Sequence, residues 1–169
     1  HNAANLNGKY LMEACGELDE FHAEPPCQGV SAYGLQLGLH DYRTGVVVDL
    51  AAALVDYQYL LAEQRGYKDW AHAPAQFGFV IENVAPSRPE DQSPEVVEFY
   101  EFMARVFGAP FVHIPHEDGS LTSRTACWWT NTFSKDFYHK RKEAYHRDPP
   151  EELKDVVHER SAGLLEPQI

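Results

Sequence analysis

The sequence predicts an α+β fold, mainly helical, with a central buried helix over residues 46–64 packed with a small antiparallel sheet. Three observations carry that expectation. The stretch Val46–Gln64, VVVDLAAALVDYQYLLAEQ, is the longest apolar run, and its apolar residues recur at three- and four-residue steps. Segments rich in β-branched and aromatic residues fall near 77–84, 111–115 and 121–130, the expected strands. Gly and Pro residues punctuate the chain between these elements. At 169 residues it reads as a single globular domain, 1–169, long enough to bury a core.

From the N-terminus, Asn2–Phe21 reads as a first helix with Leu6, Tyr10, Ala14, Leu18 and Phe21 on one side, weakened by Gly8 and Gly16. Pro25-Pro26 forces a connector. A second helix is expected from Gln28 to His40 with Val30, Tyr33 and Leu37 inward; Gly34 and Gly38 would let another backbone come close. In the central helix, Val47, Leu50, Ala51, Leu54, Val55, Gln58 and Leu61 form the inward face, between Gly45 and Gly66. Its length, about 28 Å at about 1.5 Å per residue, also suits a membrane span, but Asp49 and Asp56 at bilayer depth would each cost several kcal/mol. FGFVIENV, Phe77–Val84, is the first strand. After an acidic, Pro-containing loop, Ser93 as N-cap and Pro94 at the first helical position open a helix that Gly108 stops. Its inward face is Val96, Phe99, Tyr100, Met103, Val106 and Phe107. Asp118-Gly119 joins the last two strands as a hairpin. Charged and Pro-bounded helices are expected over Phe133–Arg147 and Glu151–Arg160.

Composition narrows the function. Lys plus Arg number 14 against 26 Asp plus Glu, so nucleic acid and anionic membranes are disfavoured as partners. Three cysteines leave an odd one unpaired, a pattern more typical of a reducing compartment. With no charged-then-apolar leader at the start, a cytoplasmic, soluble protein is expected. There is no Walker loop, no Gly-rich dinucleotide fingerprint, no CxxC pair, no HExxH and no GxSxG. Common NTPases, Rossmann dehydrogenases, zinc fingers, zincins and α/β-hydrolases are thereby disfavoured.

Three clusters carry candidate chemistry. His113 and His116, followed by Glu117 and Asp118, offer imidazole and carboxylate ligands of the kind zinc, iron and manganese accept, with Asp49 or Asp56 as a further metal ligand. The competing reading is a polar hairpin end. On the last strand, alternation puts Arg124, Ala126 and Trp128 on one face and Thr125, Cys127 and Trp129 on the other. Arg124 beside Trp128 would bind a carboxylate ligand against an aromatic wall. Cys127 would be a nucleophile if a His lowered its pKa, against the commoner buried structural Cys. Lys135–Arg147 concentrates basic charge with His139 and His146 interleaved, either a solvated face or a site for an anion or an acidic partner. Asp49, Asp56 and Glu63 share one helix side, either a solvated stripe or a carboxylate row lining a cleft.

These clusters lead to the expectation of an enzyme, or its small-molecule-binding subunit, acting on an aromatic or carboxylate-bearing ligand. His113, His116, His139 and Cys127 are the catalytic candidates, and Arg124, Trp128 and Tyr59 the ligand-binding ones. A divalent metal at His113 and His116 is the candidate cofactor. The alternative is a non-catalytic acidic interaction protein: an adaptor, an immunity-type partner or an assembly subunit, including a homo-oligomer.

Overall fold

A computed structural model describes residues 6–113 apart from Ser87, residues 125–134, and residues 136, 137 and 140. The chain divides into two compact units, His1–His113 with Arg124–Phe133, and Ile114–Ser123 with Ser134–Ile169. In the second, the Phe137 backbone N–H donates to Ser134 Oγ at 3.2 Å. Every element below belongs to the first, and together they make an α+β fold.

Helix α1 spans Gly8–Cys15. Asn7 caps it by accepting from the Tyr10 N–H, and Gly16 ends it at φ +69°, a left-handed conformation that L side chains rarely adopt. The expected first helix is therefore shorter than Asn2–Phe21: Gly16 is a true stop, and residues 2–5 lie outside the described chain. Gly8 has a positive role. A Cβ there would overlap the backbone of Asp56 and Tyr57, so its absence lets α1 lie directly on the following long helix.

Residues 20–23 form a strand, β1 (Glu20–Ala23), where a helix end and a connector were expected. The helix predicted over 28–40 is also absent; its place holds turns and a short 3-10 turn at Gly38–His40. Gln36 at φ +52° and Gly38 at φ +54° are left-handed, which breaks any right-handed helix through them. The two glycines still permit close approach: a Cβ on Gly34 would overlap the Gln28 carbonyl, and one on Gly38 the Glu95 carbonyl. Buried Thr44 ties this loop down, donating to the Pro26 carbonyl at 3.1 Å and accepting from Gly29 N–H at 3.0 Å.

Helix α2 runs over Val46–Gln64, the bounds the sequence predicts. Val47, Leu50, Leu54 and Leu61 are buried as expected, but Val55 is exposed and Tyr57 takes its place inside. Tyr57 brings a polar tip: its hydroxyl donates to Gly16 O at 2.6 Å and accepts from Leu18 N–H at 2.7 Å, pinning the turn after α1. Strand β2 is Gly78–Val84, helix α3 Pro94–Phe107, strand β3 Phe111–His113 and strand β4 Ala126–Thr130. Ser93 caps α3 as predicted, and Val96, Phe99 and Met103 are its buried face. The helices predicted over 133–147 and 151–160, and the Asp118-Gly119 turn, lie outside the described residues.

The sheet is ordered β1-β2-β4-β3. It is mixed rather than antiparallel: β1 pairs with β2 in parallel, while β2–β4 and β3–β4 are antiparallel. The physical reason is the connection. Parallel neighbours need a long crossover, and the segment containing α2 returns the chain to the same end of the sheet. Ile81, Asn83, Cys127 and Trp129 point to one sheet face and are fully buried with residues of α2 and α3. Asn83 is satisfied there, donating to Pro25 O at 3.0 Å and accepting from Val84 N–H at 2.9 Å. No described helix is long and apolar enough to cross a membrane.

Candidate functional site

The opposite sheet face carries the candidate site. Register puts Glu82 opposite Trp128, Trp128 opposite Phe111, and Ala126 opposite His113. On β1, alternation places Glu20 and His22 away from half-buried Phe21 and Ala23. A cavity of about 270 Å³ opens here, lined by residues that include Glu20, His22, Glu24, Glu82, Trp128 and Phe133.

Its aromatic wall is a cluster of rings. Phe111 and Trp128 have centroids 5.8 Å apart, Phe111 and Phe133 5.3 Å, and Trp128 and Phe133 6.4 Å near perpendicular at 71°. His113 joins from β3, its ring 5.2 Å from that of Trp128. The Trp128 indole nitrogen is buried with no hydrogen-bond partner among the described residues.

The rim supplies titratable groups in fixed geometry. His22 Nε2 lies 3.0 Å from Glu20 Oε2, and Thr132 Oγ1 donates to Glu20 Oε1 at 2.9 Å. These two hydrogen bonds, His22 first, hold the Glu20 carboxyl below its usual value and so keep it charged. A carboxylate on Nε2 fixes the proton there in neutral imidazole and leaves Nδ1 as the lone-pair nitrogen. The His22 side chain is 65% exposed.

A second cavity, about 280 Å³, lies between α2 and the start of β2, with Leu54, Phe77, Phe79 and Phe107 among its walls. Its two amides are already engaged: Asn131 with Phe77 O and Phe79 N–H, Gln58 with Pro74 O and Gln76 N–H. Its described walls carry no charged or titratable side chain, so the first cavity is the better candidate.

The sequence-predicted residues divide among several places. Trp128 and His113 are brought together at the aromatic wall. Cys127 faces the other way and is 1% exposed; burial, with a smaller push from Glu82, raises its thiol to about 11, which works against the thiolate a nucleophile needs. Tyr59 packs edge-on against Trp70 at 5.7 Å and does not line the cavity. Asp56 accepts the Gly8 N–H at 2.9 Å, anchoring α1, and Asp49 is exposed on α2. His116, Arg124 and His139 lie outside the described residues. Among the described residues no three His, Cys, Asp or Glu side chains group as a metal site. Sequence reasoning missed Glu20, His22, Glu82 and Phe133. The signal for the first two was present: Glu20-Phe21-His22-Ala23-Glu24 alternates polar and apolar, the pattern of a half-buried strand. The sequence matches no protein-family model, and no curated protein is significantly similar to it.

Proposed function

We propose that the protein is a small-molecule enzyme or the binding subunit of one, taking an aromatic ligand against Trp128 and Phe133 and using His22 as its acid–base group. The single observation behind this reading is the cavity in which that aromatic wall and the Glu20–His22 pair meet. In this reading the ligand's ring packs on Trp128, and His22 Nδ1 accepts a proton from it. Glu20 stabilises the imidazolium that forms, because its carboxylate is already 3.0 Å from Nε2. His113 adds an edge of the wall. The carboxylate-bearing ligand expected from Arg124 gives way to an aromatic one, since three of the described lining residues are themselves carboxylates.

Titrating indole into isotope-labelled protein tests the reading. Backbone amides of His22, Val80 and Thr132 are expected to shift saturably, and Trp128→Ala to abolish the response. Shifts that survive Trp128→Ala unchanged would overturn it.

A second reading, a non-catalytic acidic protein that pairs with a copy of itself, is favoured by the loop before α2. Tyr33, Leu35 and Tyr42 stand 103%, 74% and 84% exposed there, three large apolar side chains in one short loop. Sedimentation of native protein against a Tyr33→Ser, Leu35→Ser variant decides: a native dimer that the substitutions dissociate supports this reading, and a monomer at high concentration removes it.

A further inference from the structure

We propose that the ligand of the Trp128 cavity is an organic cation, an amine or quaternary ammonium carried on an aromatic or aliphatic body; this rests on the reading that the cavity binds small molecules. Glu20, Glu24 and Glu82 all line the cavity, and no described lining residue is Lys or Arg. Glu20 is fixed in its charged form by two hydrogen bonds. Its carboxylate is therefore charged near neutral pH, and a cation in the cavity is attracted to it directly.

The aromatic wall points the same way. Trp128 and Phe133 meet at 71°, giving a two-sided corner in which a cation sits over ring faces. Glu82 is directly across the β2–β4 ladder from Trp128, so one bound molecule reaches an indole face and a carboxylate together. An anion is repelled by the carboxylates and disfavoured over the ring faces.

The chain's formal net charge of −12 attracts any cation at long range, so the experiment must separate the cavity's own carboxylates from the general field. Tryptamine, indole and indole-3-acetate share one ring and differ in charge. Each is titrated at moderate salt while the Trp128 indole N–H resonance is followed. Tryptamine is expected to bind about tenfold tighter than indole, and indole-3-acetate to give no saturable shift. Glu24→Gln, at the exposed position just after β1, is expected to weaken tryptamine about threefold to fivefold and leave indole unchanged. Glu63→Gln on α2 removes the same charge away from the cavity and leaves all three unchanged. Equal affinities for the three probes, or equal losses in the Glu24 and Glu63 variants, overturn the cation assignment while the binding site stands. No saturable shift at Trp128 with any probe overturns the site and the assignment together.

Discussion

Trp128 and Trp129 are neighbours in the chain and belong to different worlds. Trp129 is 0% exposed on the helix side of the sheet, stacked on Tyr100 at 6.2 Å beside Ile81 and Asn83. Trp128, one residue earlier, looks onto carboxylates, two imidazoles and Phe133. The period-two alternation of a strand produces this split between the packed core and the candidate site. On the helix side the polar groups are neutral and mostly satisfied, as with Asn83 and the Tyr100 hydroxyl donating to Val84 O at 2.7 Å. On the cavity side they are charged and clustered.

The largest test of that division exchanges each tryptophan for alanine. Trp129→Ala leaves a void in close-packed surroundings and is expected to cost about 3–5 kcal/mol in denaturant unfolding. Trp128→Ala, from a half-buried position, is expected to cost about 1–2 kcal/mol while abolishing indole binding. Equal stability losses would erase the distinction between the faces.

A smaller effect separates them on the alkaline side. The Cys127 thiol, buried on the helix side, is pushed from 9.0 up to about 11. The folded state holds that proton longer than the unfolded chain, so its contribution is whole below about pH 9 and is lost as pH rises toward 11. Tyr57 and Tyr100 are raised as well, from 10.0, so Cys127→Ala is expected to delay the onset of alkaline destabilisation rather than remove it. Unfolding midpoints from pH 8 to 11 check this. An unchanged onset would mean the thiol is solvated.

The smallest effect lies on the acid side and belongs to the cavity face. Glu20 is lowered from 4.5, so its contribution is present above that value and fades as pH falls below it. Glu20→Gln is expected to lose less stability than the native protein between pH 5 and 3, with the curves meeting at the acid end. Asp41, held at about 2 by the Arg43 guanidinium and backbone N–H, supplies an acid-sensitive background common to both proteins.

Local patterns made much of this architecture legible. The bounds of α2 follow from a long apolar run between glycines, and α3 from Ser93-Pro94 and Gly108. The opposite orientations of Cys127 and Trp128 follow from strand alternation. What the sequence hid is non-local. Val30, Tyr33 and Leu37 repeat like a helix face, yet Gln36 and Gly38 turn left-handed because the loop must dock on Ser93 and Glu95: Gln36 accepts from Ser93 through its side chain and its carbonyl. Glu20 and His22 became site residues only because β1 pairs with β2, and a four-residue strand carries too little pattern to announce a partner so distant.

The hydrogen bond from Thr132 to Glu20 joins positions 112 residues apart. During synthesis the first unit therefore emerges almost completely before this latch can form. A ribosome-bound chain truncated before Thr132 has the imidazole, its carboxylate and Trp128 but neither the latch nor Phe133. On the reading proposed above, ligand capture is expected to report a finished molecule, with a nascent fragment silent to it.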